Sequence, residues 1–343
     1  MNWFTWRLHR KQFMIFGVLL ALSAALLIPT GIHFWHAYQS ALQTCVQNPA
    51  TPSCSDLPGS LMQSQVDVLI RTTVFAIGLG TPLLLGLFLG SPLIAKEYEE
   101  GTNKLVWTQS VSRRKWLTTQ LAWALMFAAL YGLAVTLLTT WWSHTTNTLY
   151  LNRFHTGLFM EQGIVPVAYS VFFTSLGFAL SACFRKTLLA LGITFALFVV
   201  FQTTFSQVIR PRYMAPIAVT APMGPGAIDE KIPKDAAWVL TRNIIDKNGK
   251  SFDSFDVQNM PPECQQIIQN AQTSDGGHAV RVKSAGGRDS LDDCLNQAGI
   301  HQTATYQPSY RYWDFQRIEA GIYLGMTLLA VGATYWFVLK RDA

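Results

Sequence analysis

Charged side chains are scarce in this chain. Asp, Glu, Lys and Arg make up 13% of its 343 residues, against about 25% in typical soluble domains. Most of its length is therefore not a water-facing surface. Constellations that carry chemistry are scarce too. No nucleophile with its base and no paired acids stand out, so no catalytic residue is assigned and the chain is read as not an enzyme. Asn248-Gly249-Lys250-Ser251 resembles the tail of a phosphate-binding loop, but that loop's leading glycine would fall on Ile244. No nucleotide site is expected here, and no nucleic-acid partner. His33-Phe34-Trp35-His36 sets two imidazoles three apart, but a metal needs more ligands and a second shell around them. We read it as an interfacial aromatic cluster, and likewise His144 and His155 beside Trp141 and Trp142. No metal ligand is assigned.

Apolar residues are abundant. Half of the chain is hydrophobic, and these residues fall into runs. A hydrocarbon core ~30 Å thick needs about 20 apolar residues per helix. Six runs reach that length: Phe13–Ile32, Val68–Ile94, Trp116–Trp142, Ile164–Phe184, Thr187–Val208 and Ile318–Leu339. The first is longer than the apolar stretch of a signal peptide and lacks a small-x-small cleavage site, so it is read as an anchor. The expected fold is an all-α polytopic membrane protein with six transmembrane helices and a large extracellular insert between helices five and six. Residues 1–12 interleave Trp3, Phe4 and Trp6 with Arg7, Arg10 and Lys11, which suits an interfacial amphipathic helix. Residues 13–208 carry the first five spans, 209–317 the insert, and 318–343 the last span and tail.

Lys and Arg resist translocation, so their excess orients the chain. One side carries Arg7, Arg10, Lys11, residues 96–115, Arg185-Lys186 and Lys340-Arg341-Asp342, which amounts to 12 basic against 4 acidic residues. The insert has 12 of each. The basic side, with both termini, is therefore expected in the cytoplasm. Cysteine usage agrees. Cys45 and Cys54 share the first outer loop, Cys264 and Cys294 share the insert, and Cys183 lies alone near the basic side. Disulfides belong in an oxidising exterior, so Cys45–Cys54 and Cys264–Cys294 are the expected pairs, with free or differently paired thiols as the alternative.

Small residues recur at helical spacing: Gly78, Pro82, Gly86 and Gly90 in the second span, Ala124, Ala128 and Gly132 in the third, Gly321 and Gly325 in the sixth. They mark faces where helices approach closely in lipid, and Pro82 can kink its helix. The insert opens with a proline-rich stretch whose start, Met214–Val219, is expected to dip toward the membrane. Short helices are expected near Pro262–Ala271 and Ser290–Ala298, with turns at Gly276-Gly277 and Gly286-Gly287. Two ionisable groups sit just inside spans, Arg71 and Glu319. Buried charges in spans often have a function, so these are candidates for an outer gate, with snorkelling to the surface as the plainer reading.

The densest charge lies between the second and third runs, in Lys96–Lys115. Glu97, Glu99 and Glu100 come first, then Gly101-Thr102, then Arg113, Arg114 and Lys115. Gly101 permits a sharp change of direction, and Ser112 suits the N-cap of the third helix. By itself the stretch reads equally as a solvated loop or a docking surface. Its sequence resembles the E-x-E-x-G-T … (P)-V-S-R motif that joins spans two and three in type-2 ATP-binding-cassette (ABC) exporter permeases. Glu97, Glu99, Gly101, Thr102, Val111, Ser112 and Arg113 match, and Ser110 replaces the usual proline. The resemblance implies a transporter membrane subunit of the plasma membrane that pairs with a second permease copy, identical or not. A cytoplasmic ABC ATPase subunit would bind ATP and Mg, leaving no cofactor in this chain. Glu97, Glu99, Glu100, Gly101, Thr102, Arg113 and Arg114 would form the ATPase-coupling surface, spans one, two and five would tilt around a central path, and the insert would serve as an upper gate or exit vestibule. An amphiphile such as a drug, antibiotic, peptide or lipid would be the exported substrate. The alternative is a membrane-anchored sensor or scaffold displaying 209–317.

Overall fold

The computed structural model describes residues 2–48, 54, 65–101, 112–150, 154, 156–233, 238–252, 260–273 and 285–340. Thr102, Val111, His155 and Gly276-Gly277 lie outside these. Two compact units result: Met1–Tyr213 with Trp313–Ala343, and Met214–Tyr312 between them. The boundary of the insert thus falls a few residues inside the expected 209–317, because the fifth and sixth helices run on past their apolar cores.

Among the described residues six helices are long and apolar enough to cross a membrane, all in the first unit except the opening turn of the last: Arg10–Gln47, Val68–Glu99, Arg113–His144, Val165–Phe184, Thr187–Arg212 and Ser309–Lys340. Within the first, one helix runs unbroken from Asn2 to Gln47. The expected interfacial helix over 1–12 is therefore not set off from the span by any break. The fourth span is the most buried and packs against the second, third and fifth. Its small side chains explain this. A Cβ added to Gly177 would lie 2.5 Å from the Gly86 carbonyl oxygen, and one added to Gly90 would lie 2.5 Å from that of Thr174. Spans two and four thus touch backbone to backbone. Ala124 and Ala128 of the third span are buried in the core, and Gly132 abuts Ser170. The sixth-span pair behaves differently from the expectation: Gly321 and Gly325 meet nothing within 4 Å and face outward.

The second span changes its winding between its two prolines. An α-helix to Leu84 gives way to a wider π-helical turn, Leu85–Gly90, before α-helix resumes at Ser91. Pro92 has no N–H for the carbonyl four residues back. That carbonyl, on Phe88, instead accepts a hydrogen bond from Gln12 Nε2 at 3.0 Å.

In the second unit the all-α expectation fails. It contains a four-stranded antiparallel sheet in the order β1-β4-β2-β3, with β1 Ile217–Pro222, β2 Trp238–Ile245, β3 Ser251–Phe252 and β4 His301–Gln307. The stretch expected to dip toward the membrane thus leads into an edge strand. Ile228 and Ile232 pack on Ala221, Ala304 and Tyr306 of the sheet. Helices Pro262–Thr273 and Ala285–Gln297 fall where short helices were expected, although Gly286-Gly287 opens the second of them rather than forming a turn. A small core of Cys264, Leu295 and Ile300 sits beneath. So small a domain buries little apolar surface, and the Cys264–Cys294 disulfide joins these two helices.

Candidate functional site

The described part of the charged island is built into the helix ends around it. Span two ends at Glu99, and the chain turns at Gly101, whose φ of +68° is open to glycine and strained for other residues. Glu99 reaches across to the first residue of the fifth span. Its carboxylate accepts the Thr187 backbone N–H at 2.9 Å and the Thr187 hydroxyl at 2.8 Å. The first turn of a helix has amide groups without intrahelical partners and carries partial positive charge, so a carboxylate is favoured there. One turn earlier, the Ala95 amide donates to Ser181 Oγ of span four at 2.6 Å. Deeper still, the Ser91 and Thr194 hydroxyls share a hydrogen bond of 3.1 Å. Arg185, in the left-handed conformation between spans four and five, lies over the Tyr98 ring at 5.0 Å. Glu97 is half-buried, whereas Glu100 is exposed and pairs loosely with Lys96 at 3.7 Å. Across the gap, Ser112 Oγ accepts the Lys115 amide at 3.4 Å, the expected N-cap, and Arg113 and Arg114 open the third helix. The end of span two is thus tied to the hairpin of spans four and five.

At the other end of span five lies a buried charged cluster. Arg210 and Glu319 are 1% and 0% exposed. The guanidinium grips the carboxylate with both Nε and Nη2, at 2.8 and 2.7 Å. The Tyr213 hydroxyl donates to the same carboxylate at 3.1 Å, and the Tyr169 hydroxyl also donates to it. The Arg210 guanidinium lies over Phe159 at 4.2 Å. Burial and the neighbouring Glu319 charge push the Tyr213 hydroxyl well above its ordinary range. Next to this cluster, Gln316 closes the start of span four. Its Oε1 accepts the Ile164 and Val165 amides, each at 3.0 Å, and its Nε2 donates to the Phe159 and Gln162 carbonyls. Spans four, five and six are locked together here.

Of the two candidate gate residues, Glu319 takes Arg210 as its counter-ion. Arg71 instead supplies the opposing charge near Glu161, whose pKa is pushed up to about 8 by burial and pulled back by Arg71. Sequence reasoning missed Arg210 because it was counted with the polar insert. Its signal was present: a base just past one apolar run and an acid just inside the next.

The disulfides join Cys45 to Cys54 and Cys264 to Cys294, and Cys183 takes part in neither. Asn248-Gly249-Lys250-Ser251 forms the tight turn into β3. Asp246 Oδ1 accepts the Asn248 and Lys250 amides at 2.8 and 2.9 Å, and those bonds hold its carboxyl below the usual range. Its backbone donors are thus turned onto Asp246. Among the described residues no group of three His, Cys, Asp or Glu could hold a metal ion.

The family model described as ABC-2 membrane transporter related matches residues 17–210. The chain belongs to this ABC-2 family. The match takes in spans one to five and the island, and ends at Arg210. No curated protein and no solved structure matches the chain. An ABC-2 protein of this kind is a transporter membrane subunit and a membrane transport component, and the family in general associates with an ABC ATPase.

Proposed function

We propose that this ABC-2 protein is the permease of an exporter. It pairs with a second permease copy, is driven by a separate cytoplasmic ATPase that binds ATP and Mg, and moves an amphiphile out across the plasma membrane. One observation carries the coupling role: the Glu99 carboxylate holds the N-terminus of span five through two hydrogen bonds. A push on Glu97, Glu99, Glu100, Gly101 and Thr102, with Arg113 and Arg114, would therefore be felt at once by spans two and five. The basic excess on that side supports placing it, with both termini, in the cytoplasm. The two disulfides suit an extracellular first loop and insert. The Arg210–Glu319 cluster, at the opposite end of span five, would then set the resting closure of the outer side.

The test is transport by the reconstituted complex. Glu99→Ala should leave the protein folded and its ATPase partner bound and hydrolysing ATP, while export of a fluorescent amphiphile falls to background. Undiminished export in that variant would remove the coupling role. A sensor or scaffold is the second reading, favoured by the self-contained second unit with its own core and disulfide. Purification of the chain from its native membrane decides between them, since a co-purifying ATPase is expected of the permease and not of the sensor.

A further inference from the structure

A groove of about 530 Å³ opens between the first and third spans at the end away from the island, lined by Gly31, Ile32, Trp35, His36, Trp141 and His144. Its walls are braced. Trp142 Nε1 donates to Thr30 Oγ1 at 3.1 Å, and the Trp142 ring meets Phe34 edge to face at 5.8 Å. Trp142 is thereby fixed inward, and its neighbour Trp141 projects into the groove. Gly31 makes room for that ring: a Cβ there would lie 2.8 Å from Trp141 Cζ3. Across the opening, Trp35 and His144 stand with ring centroids 6.2 Å apart. Trp35 is 40% and Trp141 48% exposed.

The groove straddles a boundary. Below it the first span presents Ile28 and Ile32, both outward-facing, and above it the apolar runs of both spans give way to His36 and His144. Aromatic rings with polar edges suit the headgroup level of a bilayer. Binding sites for small molecules combine apolar, aromatic walls with a few polar groups that fix orientation. A neutral imidazole has one donor and one acceptor nitrogen, so this pair can hold a hydroxyl or carbonyl. A second copy of the chain fits less well. Helices that associate in lipid use small residues to approach closely, and here the one small residue, Gly31, is already covered by Trp141.

We infer that this groove binds a flat, mostly apolar amphiphile from the headgroup layer, its body between Trp35 and Trp141 and its hydrogen-bonding head at His36 and His144. Placing the groove in the outer leaflet rests on the orientation proposed above; the binding itself does not.

The test uses the full chain in lipid nanodiscs, without ATPase, and a photoreactive hydroxybenzophenone carrying an alkyl tail. Irradiation followed by mass spectrometry should place the label on the segments around Trp35 and Trp141. Trp141→Ala should lower that labelling by roughly five- to tenfold, the size expected for one aromatic contact. Gly31→Ala, which displaces the Trp141 ring, should lower it as well. His36→Ala with His144→Ala should weaken labelling by the hydroxyl probe and leave a probe without the hydroxyl unaffected. Label spread evenly over outward-facing positions such as Leu328 and Leu329, and insensitive to Trp141→Ala, would mean annular lipid contact only and overturn the inference. Cross-links joining two chains through the groove would overturn it in favour of a second copy. Because the readout needs no ATP, failure of the exporter reading would leave it untouched.

Discussion

Replacing Glu319 by Gln keeps the shape of a side chain that is 0% exposed and removes its charge. Its carboxylate now accepts from Arg210 Nε, Arg210 Nη2, the Tyr169 hydroxyl and the Tyr213 hydroxyl. The amide has one acceptor oxygen, which serves two donors, and an NH₂ that adds donors of its own. At least two buried donors lose their acceptor, and Arg210 keeps an uncompensated charge away from water. Breaking a buried pair from one side costs ~3–5 kcal/mol. Arg210→Met should cost about the same by stranding the acid. The double variant Arg210→Met with Glu319→Leu removes both charges and leaves mainly two tyrosine hydroxyls without acceptors, each costing about 1–3 kcal/mol. Its loss should therefore be smaller than the sum of the single losses. Thermal unfolding of the purified full-length chain in detergent, followed by tryptophan fluorescence, reads this directly. Each single change should lower Tm by on the order of 10 °C. If Glu319→Gln unfolds within roughly 2 °C of wild type, or if the single and double losses simply add, the cluster is not a dry, mutually dependent pair and the reasoning fails.

Three further outcomes follow from the same packing. Gly177→Ala should destabilise the chain severely, since its Cβ would meet backbone at 2.5 Å, whereas Gly325→Ala, with nothing within 4 Å, should leave Tm unchanged; equal effects would contradict the backbone contact of spans two and four. Reducing Cys264–Cys294, separated by 30 residues, should cost ~3.5 kcal/mol on the chain-entropy argument, against ~2.5 kcal/mol for Cys45–Cys54, separated by 9; paired Cys→Ser unfolding curves give the comparison. Glu161 has a folded pKa raised to about 8, so its contribution is fully present below its ordinary carboxyl range and is lost as pH rises through that value. Wild-type Tm should fall as the pH rises from the ordinary carboxyl range to about 8 and level off above that, and Glu161→Gln should flatten that fall; an unchanged slope would exclude Glu161 as the titrating group.

The legibility of the sequence varied with the range of the interaction. The N-cap at Ser112, the turn at Gly101 and the helices near Pro262 and Ser290 rest on neighbours in the chain, and each was readable. The strands of the insert were not. His301–Gln307 is polar and short, and it becomes a strand because β1 and β2 flank it on both sides. The glycine stripes were legible as a type and not as a fate. Gly86 and Gly90 found Gly177 and Thr174, while Gly321 and Gly325 found nothing within 4 Å.

Sequence alone determined that six segments are long and apolar enough to cross a membrane, and where along the chain the basic excess, the thiols and the Glu97–Arg113 motif fall. These are sums over contiguous residues, because partition into lipid depends on the composition of each segment. Tertiary structure alone decided that Glu99 holds Thr187 and that Glu319 takes Arg210 rather than Arg71. Those partners stand 88 and 109 residues apart. A buried charge pairs with whichever opposite charge the packed helix ends bring within a few ångströms, and that choice exists only once the helices have assembled.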